Sequence, residues 1–143
     1  MGMPVERSRW TAEMVRALPD DGKRYEVLDG ELLVSPSPSR LHQRAVARLH
    51  LILDQYVEAN ALGEVIFSPA DVEFSDDRMV QPDVFVVPEI GSSWRDMKAP
   101  VLIIEVLSSS TARNDRIKKR RAYQEERIPQ YWVVDIEGSV VEQ

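Results

Sequence analysis

The sequence contains no cysteine among its 143 residues, which excludes disulfide bonds, thiol catalysis and zinc sites built on cysteine. No apolar run approaches the ~18 residues of a membrane-spanning helix, and residues 1–7 lack the basic and then apolar layout of a signal peptide. We therefore expect a soluble, cytoplasmic protein with no membrane partner. The length suits one domain of ordinary size, so residues 1–143 are predicted to form a single domain.

The formal net charge of −6 argues against a general nucleic-acid coat protein, but positive charge is concentrated in one segment. Residues 113–121 contain six basic residues and one acidic residue. Such a basic stripe on an acidic body is typical of a site for a polyanion such as nucleic acid. The alternative interpretation is a solvated helix face, which is the usual role of a single charge run.

The most apolar stretch of the chain is residues 101–107, where six of the seven residues are large and apolar. This pattern predicts a strand that is buried on both faces. Glu105 lies within it, and burying a carboxylate costs free energy unless a cation or several donors compensate the charge. The surroundings of Glu105 are therefore the main question that the sequence raises.

The remaining patterns predict an α/β or α+β domain, with a mixed twisted sheet flanked by helices. A hairpin is predicted at residues 24–35 because Asp29-Gly30 favours a type I′ turn. A long helix is predicted at residues 40–60, where apolar residues recur at steps of three and four: Leu41, Ala45, Leu49, Ile52 and Tyr56. Further predictions are helices at 11–18 and 114–126, strands at 64–67, 71–74, 83–87, 130–135 and 139–141, and turns or loops at 75–78, 88–99, 108–111 and 137–138.

A second carboxylate, Asp83, begins the apolar run at residues 83–87. If this strand neighbours the strand of Glu105, the two carboxylates can converge, and they would repel each other unless a divalent cation or a shared proton joined them. Oxygen ligands without cysteine or a histidine cluster favour Mg²⁺ or Mn²⁺ over zinc. The interpretation left open is that Glu105 pairs with a buried arginine or lysine for structural reasons alone.

Several short motifs follow one another along the chain. They are residues 25–32, His42, Gln81-Pro82-Asp83-Val84, residues 104–108 with Ser110-Thr111, Asp115-Arg116 with Lys119 and Tyr123, and residues 130–135. In this order and spacing they resemble the Uma family of putative restriction endonucleases, part of the PD-(D/E)XK nuclease superfamily, over nearly the whole chain. The resemblance implies a restriction-endonuclease-like core of α-β-β-β-α-β order and an endonuclease that hydrolyses phosphodiester bonds in DNA.

The resemblance also implies roles for individual residues. Asp83 and Glu105 would bind Mg²⁺ or Mn²⁺, which lowers the pKa of a bound water and so produces the nucleophile. The superfamily lysine normally lies two residues after the glutamate, and here that position is Leu107. Lys119 is expected to replace it by stabilising charge on the phosphate or orienting the water, with Lys118 as the alternative.

Two more residues are candidates. Glu31 would add a third catalytic carboxylate, or else be an exposed residue at a strand start. His42 is expected to pack at a helix start, with contact to the substrate as the alternative. Leu107 keeps open a catalytically inactive module that binds nucleic acid or protein, and an ion-paired Glu105 would suit a purely structural domain. Cutting both strands of a duplex suggests a homodimer, and the end at Gln143 suggests a chain shorter than is usual in the family.

Overall fold

The computed structural model describes residues 9–88, 99–107, 113–136 and 140–143. These ranges contain the helices α1 (Ala12–Arg16), α2 (Arg40–Ala59) and α3 (Arg113–Glu125). They also contain the strands β1 (Arg24–Leu28), β2 (Glu31–Ser35), β3 (Glu64–Phe67), β4 (Val72–Ser75), β5 (Arg78–Val80), β6 (Val84–Val87), β7 (Leu102–Leu107), β8 (Gln130–Asp135) and β9 (Val140–Glu142). The predicted α+β class is confirmed.

The strands form two sheets, not the one mixed sheet that the sequence predicted. The four-stranded sheet has the order β2-β1-β5-β4, and the five-stranded sheet has the order β3-β6-β7-β8-β9. The pair β7–β8 is parallel, with α3 as its crossover, and the other pairs are antiparallel. The second sheet was missed because residues 75–78 were predicted as a turn, whereas β5 begins at Arg78 and pairs with β1.

The buried strand β7 is covered on both faces, as its apolar pattern predicted. On one face, Val46 and Val57 of α2 pack in a cluster with Ile104. On the other face, Leu28 of the four-stranded sheet packs in a cluster with Ile103, which also includes residues of α3. The sequence predicted that helices cover the sheet. On this face the covering layer is the four-stranded sheet together with α3. Glu105 has the same strand parity as Ile103 and faces the layer between the two sheets.

The predicted hairpin and first helix are confirmed. Asp29 (φ 53°) and Gly30 (φ 80°) both have the positive φ that a type I′ turn requires. Leu28 pairs with Glu31 directly across this turn, so the register of β1 and β2 is fixed by it. Helix α1 begins after Thr11, whose side chain accepts a hydrogen bond from the backbone N–H of Met14 as an N-cap.

Helix α2 is confirmed, but of its five predicted apolar positions only Ala45 and Leu49 pack against the core. Leu41, Ile52 and Tyr56 are 55%, 65% and 62% exposed. The buried residues of the helix are His42, Val46 and Val57, with Leu49 and Leu53 packed beside them. Apolar residues follow two adjacent stripes of this helix, so the periodicity could not decide which stripe faces the core.

Some predictions lie outside the described residues. They are most of the loop at 88–99, the link at 108–111, the turn at 137–138 and the side chain of Asp115. In the part of the chain that is described, no helix is both long and apolar enough to cross a membrane.

Candidate functional site

Asp83 and Glu105 lie opposite each other on neighbouring strands. Val84 of β6 pairs with Ile104 of the antiparallel strand β7, so the same register places Asp83 opposite Glu105. The two side chains are only 1% and 3% exposed. The backbone N–H of Val106 donates to Oδ2 of Asp83 at 2.6 Å, which ties this carboxylate to the neighbouring strand. The two carboxylates therefore converge in the interior, as the sequence pattern suggested.

Lys119 brings a buried positive charge to the same place from α3. Its Nζ lies 3.1 Å from Oε1 of Glu105 and 2.9 Å from Oε1 of Glu26, so two carboxylates share one ammonium group. One helical turn later, the hydroxyl of Tyr123 donates to Oε1 of Glu105 at 2.9 Å. The spacing of four residues in α3 thus places an ammonium and a hydroxyl on one carboxylate.

Two residues of β1, Arg24 and Glu26, complete the surroundings and were missed by the sequence analysis. Nη1 of Arg24 donates to Oδ1 of Asp83 at 2.7 Å. The backbone N–H of Gln81 donates to Oε2 of Glu26 at 2.7 Å, but Oε1 of Glu26 has no well-directed donor despite the nearby ammonium. Their only signal in the sequence is strand parity, because both share a face of β1 with the core residue Leu28.

His42 contacts Asp83 from the start of α2, which begins after the N-cap Ser39. Its Nε2 lies 3.1 Å from Oδ1 of Asp83, while its buried Nδ1 has no hydrogen-bond partner among the described residues. The expected packing at a helix start is therefore combined with a polar contact to Asp83. We call the following seven residues the ionic cluster: Arg24, Glu26, His42, Asp83, Glu105, Lys119 and Tyr123.

The structure does not bring Glu31 into the ionic cluster. Its side chain is 58% exposed at the start of β2, where it pairs with Nζ of Lys118 at 2.7 Å. Lys118, the alternative to Lys119, is therefore also turned away from Glu105. Leu107, at the position of the usual lysine, is half-buried at the end of β7. The third buried carboxylate of the ionic cluster belongs to Glu26 and not to Glu31.

The charges in the ionic cluster shift one another's protonation. Burial raises the pKa of Asp83, but the hydrogen bond from His42 and the charge of Arg24 lower it more, so that its pKa is about 2. Burial raises the pKa of Glu105 to about 7, a rise that Lys119 opposes and Asp83 reinforces. Burial lowers the pKa of Lys119, but Glu105 and Glu26 together raise it above its ordinary value. Asp83 and Lys119 are thus stabilised in their charged forms, whereas the raised pKa of Glu105 favours its protonated form.

A cavity of about 670 Å³ gives access to the ionic cluster. Arg24, His42, Glu105 and Lys119 all line it. The lining also includes the basic residues Arg16, Lys23 and Arg116 and the acidic residues Asp20 and Asp71. In all, five basic and three acidic residues line the cavity, and this excess of positive charge suits an anionic ligand that must approach a buried carboxylate.

Asp83 and Glu105 fit a hard divalent cation by donor type. Mg²⁺ usually keeps several waters and is held by one or two carboxylates. Among the described residues, no group of three or more His, Asp or Glu side chains is placed to hold a metal ion, so Asp83 and Glu105 would be its two protein ligands. Arg24 and His42 already contact Oδ1 of Asp83, so a cation would have to displace one of them or share this oxygen.

The chain is similar to known proteins over most of its length. The Uma2 family model, described as putative restriction endonuclease, matches residues 12–142. None of the curated proteins matches the chain. Among solved structures, a putative nuclease belonging to DUF820 from Anabaena variabilis ATCC 29413 is 19% identical, with a TM-score of 0.66 over 92% of this chain and 76% of that one. This likeness shows a shared fold, and because the family model spans most of the sequence, the chain belongs to the Uma2 family of putative restriction endonucleases.

Proposed function

We propose that this protein is a metal-dependent endonuclease that hydrolyses phosphodiester bonds in DNA. The observation that carries the proposal is the placement of Asp83 opposite Glu105, with Nζ of Lys119 3.1 Å from the second carboxylate at the wall of a cavity. Membership of a family of putative restriction endonucleases supports a nucleic-acid substrate. Within that class, the choice of DNA follows from the restriction-endonuclease description and is the finer part of the proposal.

Five of the seven residues of the ionic cluster have a role in this proposal. Asp83 and Glu105 hold Mg²⁺ or Mn²⁺, which when bound supplies a Lewis acid for the phosphate and lowers the pKa of a water. Lys119 neutralises charge that develops on the phosphate, because its ammonium lies beside Glu105 on the cavity wall. Tyr123 fixes the orientation of the Glu105 carboxylate through its hydrogen bond. Arg24 holds Asp83 and also reaches the cavity, where it can contact a phosphate oxygen.

Leu107 stands where a lysine is usual in the superfamily, and in this proposal Lys119 supplies the positive charge instead. Residues 105 and 107 of β7 have the same parity, so a lysine at 107 would reach the face on which Glu105 lies. Here Leu107 supplies no charge there, but α3 crosses beside the strand and delivers the ammonium of Lys119 to the same carboxylate. In this proposal Lys119 takes the role of the lysine that is absent at position 107.

The proposed function predicts that the purified protein converts supercoiled plasmid DNA into nicked and linear forms with Mn²⁺ or Mg²⁺, and not with EDTA. Gel electrophoresis measures the conversion, with single-stranded DNA and RNA of equal length tested alongside. Glu105→Gln, prepared in the same way, controls for contaminating nucleases. Cleavage of RNA alone would reassign the substrate, and failure to cleave any of the three substrates with either ion would contradict the proposal.

One observation favours the alternative of an inactive nucleic-acid-binding module. Both oxygens of Asp83 already have donors, from Arg24 and His42 on one side and Val106 on the other. An ion pair between Arg24 and Asp83 could replace the metal and keep the fold without the chemistry. Binding of DNA that is unaffected by Mn²⁺, with no cleavage, would select this alternative.

The exposed arginines of α3 are expected to contact the nucleic-acid backbone. Arg120 and Arg121 are exposed, and the one ion pair of Arg121 with another described residue is a 3.4 Å contact with Glu125. We expect Arg120→Ala with Arg121→Ala to weaken DNA binding and to reduce its salt dependence by about two counterions, without changing the melting temperature. Fluorescence anisotropy at several salt concentrations measures both effects.

The matched control for these variants is Arg120→Lys with Arg121→Lys, which keeps both charges. It should retain the affinity and the salt dependence, because counterion release depends on charge. If the alanine and lysine variants bind DNA as the wild type does, this face of α3 is merely solvated.

A further inference from the structure

The outer face of α2 carries large apolar side chains that the fold leaves exposed. Leu41, Leu51, Ile52 and Tyr56 are all more than half exposed, and Ile52 is the most exposed of them at 65%. On a helix these four positions fall within one side, next to the stripe that packs on the five-stranded sheet. Several large exposed apolar side chains on one side of a helix that is already anchored to its own core are typical of an interaction surface.

The charges along α2 are segregated in an unusual way. Arg40, Arg44 and Arg48 follow one another at steps of four in the N-terminal half, and Asp54 and Glu58 follow at a step of four in the C-terminal half. Like charges four residues apart repel each other. The order also opposes the helix dipole, which favours acidic residues near the N-terminus and basic residues near the C-terminus.

No partner within the described residues compensates these charges. None of the five side chains forms an ion pair with another described residue. Within a single copy, the pattern is therefore mildly unfavourable for the helix. A partner that presents acidic groups to the first half and basic groups to the second half would turn it into an attraction.

We propose that the partner is a second copy of this chain, packed with its α2 antiparallel to the first across a two-fold axis near Leu51. Arg44 and Glu58 are equally far from Leu51 along the helix, and so are Arg48 and Asp54. An antiparallel pairing about that residue therefore places both arginines of each copy beside both carboxylates of the other. A parallel pairing would instead bring like charges together, so the charge pattern selects the antiparallel arrangement.

The apolar residues fit the same arrangement. Leu51 and Ile52 lie at the two-fold axis and meet their own counterparts, as expected of an interface in which both copies use the same surface. Leu41 and Tyr56 lie on either side of this central contact, ten and five residues from Leu51. A helix of this length is about 30 Å long, which allows contact over several turns. The interface does not depend on the proposed nuclease function, because none of its residues belongs to the ionic cluster.

A charge-reversal cycle tests this interface. We expect sedimentation equilibrium of the wild type to show a reversible dimer. Arg44→Glu or Glu58→Arg alone should weaken dimerisation about tenfold or more, because each replaces two symmetric attractions by two repulsions. The double variant Arg44→Glu with Glu58→Arg restores opposite charges across the axis and should dimerise within a few-fold of the wild type.

A second variant tests the apolar part of the surface. Ile52→Glu should yield a monomer with an unchanged circular dichroism spectrum, because this side chain makes little contact with the core. A wild type that stays monomeric up to about 100 µM would overturn the proposal, as would a dimer that none of the substitutions affects. A double variant no better than the single variants would overturn the antiparallel pairing of Arg44 with Glu58.

Discussion

Lys119→Met should lower the free energy of unfolding by about 3–5 kcal/mol, the cost typical of breaking a buried ion pair by removing one partner. Lys119 is 5% exposed, and its ammonium lies within 3.1 Å of both Glu26 and Glu105. Without it, two carboxylates remain buried close together with less compensation, and Asp83 adds a third nearby. Urea denaturation at pH 7 measures the change.

Lys118→Met is the matched control, because it removes a neighbouring lysine whose ion pair with Glu31 is exposed. Exposed pairs contribute roughly 0–1 kcal/mol, so this variant should be nearly as stable as the wild type. Adding Glu26→Gln to Lys119→Met should recover part of the loss by removing one stranded charge. If Lys119→Met and Lys118→Met cost the same, the shared ammonium does not hold the ionic cluster together.

Glu105→Gln should reduce DNA cleavage by more than about 100-fold, the upper range for residues that only support a metal ligand, because it removes a proposed ligand itself. The metal-free protein should nevertheless be as stable as the wild type or more stable. Lys119 keeps its partner Glu26, so no ammonium is stranded, and Asp83 loses a carboxylate neighbour. Cleavage assays and urea denaturation without metal measure the two effects.

The stability difference between Glu105→Gln and the wild type should depend on pH. Because the pKa of Glu105 is raised from 4.5 to about 7 on folding, the folded state binds more protons than the unfolded state between these values. This residue therefore lowers the stability of the wild type as pH rises from about 4.5 to 7, and glutamine removes that dependence. The free energy of unfolding of the variant, relative to that of the wild type, should therefore increase from about pH 4.5 to 7 and remain higher above pH 7.

Glu31→Gln is the control for Glu105→Gln, because it neutralises a carboxylate that lies outside the ionic cluster. It should leave cleavage and stability nearly unchanged, and a large loss of activity would restore Glu31 as a catalytic residue. A cost of ~3–5 kcal/mol for Glu105→Gln, with a wild-type melting temperature indifferent to Mg²⁺ and Mn²⁺, would leave Glu105 as a structural ion pair.

The sequence predicted the parts of the fold that depend on local pattern. Asp29-Gly30 identified the hairpin, and the apolar run around Glu105 identified the doubly buried strand. Both features depend on residues that are neighbours in the sequence. The sequence did not show which side of α2 is exposed. Ile52 and Tyr56 belong to an apolar stripe that does not pack on the core. Periodicity reports that a helix has an apolar side, but it does not report what covers that side.

Part of the candidate site was also predicted, because some of its residues lie in local sequence motifs. Asp83, Glu105 and Lys119 stand in recognisable motifs, and the structure brings their side chains together. Glu26 and Arg24 were not found because their burial depends on the second sheet, which exists only through the long-range pairing of β1 with β5. A charged residue in a hairpin strand is usually exposed, so nothing local distinguished Glu26 from Glu31.

The ionic cluster also constrains how this protein can fold. Its residues come from β1, α2, the entrance of β6, β7 and α3, so none of its charges finds all its partners until both sheets and the helices have docked. Such contacts between distant parts of the chain form slowly, because closing the loops costs entropy before the contacts can stabilise the fold. The backbone amides of Gln81 and Val106 donate to Glu26 and Asp83 inside this layer. Because both carboxylates are buried, at 1% exposure each, exchange of these two amides with solvent reports opening of the layer that holds the ionic cluster.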